Sequence, residues 1–135
     1  MSTHSHVPVL VYDGACQFCR VWAARLKWAT GDYVSYRPFQ EVAKEFPEIP
    51  LSTFEQSVKL IFPNGEALSG AHAIVRALAE VPGKGRLLWS YRHLPGFAPA
   101  SEFLYRRVAS CRTCAFEITK RLVGSRRIKK WEQIL

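Results

Sequence analysis

The chain has 135 residues, 48% of them hydrophobic and 13% aromatic, and a formal net charge of +8. This is one domain's length with enough apolar material for a single core, which excludes a disordered chain. No apolar run approaches the roughly eighteen residues of a spanning helix, and residues 1–6 lack the basic and apolar parts of a secretory signal, so the expected setting is cytoplasmic, where thiols stay reduced.

The charge is uneven. Residues 101–135 hold nine Lys and Arg against three Asp and Glu, whereas residues 1–100 hold ten against eight. A basic C-terminal third suits an acidic partner, nucleic acid or an anionic membrane. Charge of this kind is more often a solvated face, and no nucleic-acid motif accompanies it, so no nucleic acid is expected as a partner.

In chain order, Val7–Tyr12 is a β-branched apolar run ending at the turn signal Asp13-Gly14, and it predicts a buried strand. Residues 15–29 change to helical spacing, with Phe18, Trp22, Leu26 and Ala29 recurring at three and four, and Gly31 as a stop. Residues 33–37 predict a second strand closed by Pro38. A short helix is expected at 41–46. Residues 57–62 form a third strand, Asn64-Gly65 a hairpin turn and 67–69 its return. A helix follows over 71–80, then another over 86–93. A long helix is expected over 100–122, with Leu104, Val108, Cys111, Ala115, Ile118 and Leu122 as one packed apolar stripe. The order β-α-β, hairpin, helix is that of the thioredoxin core. The expected fold is α/β: a mixed four-stranded sheet flanked by helices, with a helical C-terminal extension. Residues 1–6 read as a disordered tail, 7–124 as the domain, and 125–135 as a basic tail with Ile128, Trp131 and Leu135 as candidate anchors.

The four cysteines fall as two CxxC pairs, Cys16/Cys19 and Cys111/Cys114. A disulfide-exchange enzyme needs an exposed thiolate and a second thiol near enough to resolve the mixed disulfide. Cys16 follows a strand-ending turn and starts a helix, where free backbone N–H groups and the helix dipole favour a thiolate. Cys19 lies one turn along the same face. The pair predicts catalysis by Cys16 as the more exposed, more acidic nucleophile and Cys19 as the resolving thiol. Asp13 is a third candidate catalytic residue with two open roles: capping the helix or forming its turn, or moving a proton to or from Cys19. No cofactor and no metal are expected. The expected partners are a disulfide-containing protein or small thiol substrate and a cellular thiol reductant. The oligomeric state is not legible.

These residues resemble a known family. Val9-Leu10-Val11-Tyr12-Asp13-Gly14-Ala15-Cys16-Gln17-Phe18-Cys19 is similar to the opening of the DCC family of thiol–disulfide oxidoreductases, named for its Asp-x-x-Cys-x-x-Cys motif. Tyr36-Arg37-Pro38-Phe39-Gln40, the Asn64-Gly65 hairpin, Ser69-Gly70-Ala71-His72-Ala73 and the closing Leu122-Val123-Gly124 resemble it too. The resemblance covers about residues 7–124 and implies a thioredoxin-like fold with disulfide-exchange chemistry. Two features depart from these patterns. Thioredoxin-type enzymes keep a cis-proline before the third strand, and Phe54-Glu55-Gln56-Ser57 has none. The second pair, Cys111-Arg112-Thr113-Cys114, lies outside the family motif.

For that second pair the expectation is a reduced, metal-free dithiol, with Cys111 buried on the stripe of an uninterrupted helix that resists i,i+3 disulfide closure. An electron relay to Cys16/Cys19 is the functional alternative. A zinc or iron–sulfur site built from both pairs is another, although 91 residues lie between Cys19 and Cys111, against about 15–20 in zinc ribbons. A basic binding module is the alternative outside enzymology. His72 and His93 are expected on the solvated surface.

Overall fold

The computed structural model describes residues 6–134; all but one residue of the expected N-terminal tail lies outside them. The β-branched opening forms strand β1 (Val9–Tyr12), whose side chains alternate between two apolar layers. Leu10 and Tyr12 face one layer and Val11 the other. Helix α1 (Gln17–Thr30) and a 3₁₀ turn carry the chain across to β2 (Ser35–Pro38), which pairs parallel with β1. After α2 (Phe39–Val42) and α3 (Leu51–Gln56), strand β3 (Lys59–Ile61) runs antiparallel to β1, and β4 (Ala67–Ser69) returns beside it. The sheet order is β2-β1-β3-β4. This mixed four-stranded sheet with flanking helices is the expected α/β, thioredoxin-like arrangement.

Both sheet faces are covered. On one, Ala23 of α1 and Ala73 and Ala77 of α4 (Gly70–Ala79) meet Leu10, Tyr12 and Leu60. Alanines at the contact let two helices approach the sheet closely. On the other, Phe39 and Phe54 stack with ring centroids 6.0 Å apart and close over Val11 and Ile61. Helix α3 was not anticipated. Phe54 is its one buried residue, so the segment has an anchor but no apolar period to read. Lys59 is buried within β3, and its Nζ donates to Ser57 Oγ and Ser69 Oγ at 3.0 and 2.7 Å. Burial lowers its pKa.

Helix α5 (Arg86–His93) falls where expected. The long helix does not. The chain forms α6 (Phe97–Ser110) and α7 (Arg112–Val123), broken at Cys111. The break interrupts the apolar stripe, and Leu104, Ile118 and Leu122 stand 64%, 58% and 80% exposed. Polar contacts hold α6 instead: Glu102 Oε1 accepts from His72 N and Tyr91 Oη, and Tyr105 Oη accepts from Val58 N. Gly70 fits beneath them with φ at +64°, where an added Cβ would lie 2.8 Å from Glu102 Oε2.

The expected basic tail is also structured. Residues Ser125–Glu132 form α8 against α1. Ile128 is 4% exposed, Trp131 lies 6.2 Å from Trp22, and Gln17 Nε2 donates to Glu132 Oε1 at 3.2 Å. Trp22 therefore serves α8, with Phe18 packed edge-on against it, while Val21, Ala23 and Ala24 form the buried side of α1. Ile128 is a single apolar residue among Arg126, Arg127, Lys129 and Lys130, which hides its anchoring role in the sequence.

Ile128→Ala is expected to lower unfolding free energy by about 2–4 kcal/mol, the usual cost of emptying a buried aliphatic site. Arg127→Ala, at an exposed position, should stay within about 0.5 kcal/mol of the parent. Urea unfolding of the two variants checks this, and equal midpoints would mean that α8 is not anchored through Ile128.

Candidate active site

The β1–α1 turn carries the site. Cys16 is the N-cap of α1 with extended backbone (φ −98°, ψ 115°), and its Sγ accepts a hydrogen bond from Cys19 N at 3.3 Å. A sulfur thus occupies the place where Ser, Thr, Asp or Asn usually caps a helix. Asp13 does not cap α1. Its Oδ1 accepts from Ala15 N at 2.9 Å, an Asx turn that sets the chain entering the helix.

The turn is pinned from β2 and α2. Gly14 packs so closely on Pro38 that an added Cβ would lie 2.7 Å from Pro38 Cβ. Gly14 N donates to Gln40 Oε1 at 3.0 Å, and Gln40 Nε2 donates to Asp13 Oδ1 at 2.9 Å. Arg20 Nη1 donates to Gly14 O at 2.7 Å from one turn into α1.

The third element is α7. Arg112 Nη1 reaches Asp13 Oδ2 at 3.1 Å, with both side chains largely shielded, and Nη2 donates to Glu55 O. Asp13 therefore accepts from a backbone amide, a side-chain amide and a guanidinium. Burial works against the Arg112 charge, but Cys19, Cys16 and Asp13 together raise its pKa.

Both thiols are half-buried, so exposure alone does not separate them as expected. Their surroundings do. Burial pushes the Cys19 thiol well above its ordinary range, and its hydrogen bond to Cys16 and the Cys16 charge act in the same direction. Arg112 opposes the shift only in part.

The second pair departs from expectation. Cys111 and Cys114 are joined as a disulfide, Cys111 is half-buried and Cys114 is exposed. Cys111 is not inside a helix. It ends α6 and caps α7 in a non-helical conformation (φ −134°, ψ 73°), which frees the backbone for the closure an unbroken helix resists. The four sulfurs do not converge: among the described residues no group of three or more His, Cys, Asp and Glu is placed to hold a metal. The structure thus brings Asp13, Cys16 and Cys19 together and adds Arg112 from between the second pair. An open groove of about 560 Å³ adjoins it, lined by Glu55, Ser57, Ser69, Tyr105, Arg106 and Arg112. Among the described residues no helix is long and apolar enough to cross a membrane.

Fold and site together define a thioredoxin-like α/β domain with a CxxC dithiol at the start of its first helix. The family model for DCC1-like thiol-disulfide oxidoreductase matches residues 10–117, and the chain belongs to that family. Comparison with curated proteins and with solved structures gives no significant match.

Sequence reasoning missed Arg112 and Gln40 as site residues. Gln40 had a signal, since it ends the family-like stretch Tyr36–Gln40. Arg112 had none, because no local pattern relates α7 to the β1–α1 turn.

Gly14→Ala should destabilise the protein by about 1–3 kcal/mol, because the methyl group overpacks against Pro38. Thermal unfolding of Gly14→Ala beside Gly65→Ala checks the cause. Gly65 has left-handed backbone but no neighbour within 4 Å of an added Cβ, so backbone strain without a clash is its only cost. A Gly14 variant as stable as the parent would contradict the close contact.

Proposed function

We propose that the chain is a thiol–disulfide oxidoreductase that works through Cys16 as nucleophile and Cys19 as resolving thiol. One observation carries the reading: Cys16 Sγ sits at the start of α1 and accepts the Cys19 N–H at 3.3 Å. Donors of this kind stabilise sulfur in its attacking, anionic form. Family membership over residues 10–117 supports the same chemistry.

The cycle begins when the Cys16 thiolate attacks one sulfur of a substrate disulfide. The substrate S–S bond breaks, its second sulfur leaves as a thiolate and takes up a proton, and Cys16 is left in a mixed disulfide. Cys19, kept protonated until then by burial and by its bond to Cys16, now loses that partner. Its proton passes to Asp13, whose charge lies within electrostatic range of Cys19. The Cys19 thiolate attacks Cys16 Sγ, closes the Cys16–Cys19 disulfide and expels the substrate sulfur that was bound to Cys16 as a thiolate, which takes up the proton held by Asp13. Two electrons have moved to the substrate. A cellular thiol reductant returns them, and a cytoplasmic setting suits that supply. The substrate is a disulfide of a protein or of a small thiol, and the groove beside Arg112 gives it room.

Cys16→Ser should abolish disulfide reductase turnover, whereas Cys19→Ser should accumulate a mixed disulfide on Cys16, visible as a mass adduct. Asp13→Asn should slow the resolving step by about 10²-fold, within the usual worth of a general base, with the adduct persisting in rapid-quench samples. An adduct on Cys19 in the Cys16→Ser protein, with none on Cys16 in the Cys19→Ser protein, would reverse the assignment.

A further inference from the structure

We infer that Cys111–Cys114 is a second redox site, a reducible disulfide whose oxidation state fixes Arg112 over the Cys16/Cys19 pair. The inference rests on the proposed role of Cys16 and adds a control to it.

Three observations carry it. Arg112 lies between the two cysteines in sequence and is the first residue of α7, so the link that holds Cys111 to Cys114 also fixes where the Arg112 side chain starts. From there its guanidinium reaches Asp13 Oδ2 at 3.1 Å and the Glu55 carbonyl, with Cys16 and Cys19 in electrostatic range. The sequence, however, spaces Leu104, Val108, Cys111, Ala115, Ile118 and Leu122 as the stripe of one unbroken helix. The chain instead breaks at Cys111, and Leu104, Ile118 and Leu122 are exposed. The linked form therefore bends against the local preference of its own sequence. Without the link, nothing covalent holds the bend, and helix continuation through Cys111 turns Arg112 away from Asp13. A packed element with two discrete arrangements is what a switch requires.

The chemistry balances with a dithiol reductant. Its thiolate attacks the exposed Cys114 sulfur, the S–S bond breaks, and Cys111 leaves as a thiolate at the N-cap of α7, which takes up a proton. The second thiol of the reductant then displaces Cys114. Two electrons and two protons reach the pair, and the reductant departs as a disulfide. Cytosolic disulfides are in general transient, catalytic or redox-sensing, which fits a pair that is made and broken in use. With the pair oxidised, the Arg112 cation offsets the Asp13 charge beside the thiols. With it reduced, Asp13 stands uncompensated, and Cys16 attacks more slowly.

The test uses the full chain carrying Cys19→Ala, so that Cys16 has no intramolecular partner. Cys16 alkylation at pH 7 is followed by peptide mass, with Cys111–Cys114 first oxidised and then reduced by a phosphine that is removed before the assay. Reduction should slow Cys16 by about threefold to tenfold, the scale expected when an opposite charge beside a thiol is removed. In the added Arg112→Gln background Cys16 should be slow in both states, whereas Arg112→Lys should restore most of the rate and keep the redox dependence. Equal rates in the two states, or a redox dependence that survives Arg112→Gln, would overturn the inference and leave the thiol-exchange reading intact. Failure of Cys111 and Cys114 to pair in any glutathione buffer would also overturn it. A Cys16 that is unreactive in every state would overturn the proposed function as well.

Discussion

The Asp13 carboxylate is the joint on which the site depends. It accepts from Ala15 N, Gln40 Nε2 and Arg112 Nη1, and so ties the β1–α1 turn to the segment after β2 and to the start of α7. Hydrogen bonds to a charged group contribute roughly 1.5–3 kcal/mol each, and more is lost when a shielded carboxylate is left without partners. Three such bonds on one side chain outweigh any single contact in the turn. They let a loop residue hold Cys16 at the helix N-terminus, where a rigid position matters more for chemistry than for stability. Gly14 completes the joint, because only a residue without Cβ lets the turn lie on Pro38.

The same constraint separates the two thiols. Each is half-buried, and they are three residues apart. The N-cap geometry gives Cys16 a backbone donor, while Cys19, one turn inside α1, gains burial and a neighbouring sulfur. On the proposed reading, the roles of nucleophile and resolving thiol follow from position along one helix. Membership of the DCC1-like family names neither the roles of the two thiols nor a substrate.

The sheet and the first pair were legible because they rest on local signals. The β-branched run at 7–12, the Asp13-Gly14 turn, the helical spacing after Cys16 and the Asn64-Gly65 hairpin each declare an element through its own residues, and the β-α-β, β-β-α order allows few sheets. What was not legible depends on distant partners. Helix α3 is set by the docking of Phe54 on Phe39. Helix α8 is set by Ile128 and Trp131 against α1, inside a segment whose charge suggests solvent. The break at Cys111 runs against the apolar period from Leu104 to Leu122, so a pattern-based reading joins two helices into one. Arg112 became visible only when that break brought α7 to Asp13.

On the proposed reading, Cys16 attacks because it starts α1, while Cys19, one turn further on, is held as a thiol by burial. Residue-resolved alkylation of the fully reduced protein across pH 5–10 tests it most directly, with Cys16 and Cys19 followed as separate peptides. The account predicts that Cys16 is modified faster at pH 7, and that Cys19 stays largely unmodified until strongly alkaline pH because burial holds it as a thiol. A Cys19 that reacts at or above the rate of Cys16 at pH 7 would contradict the account.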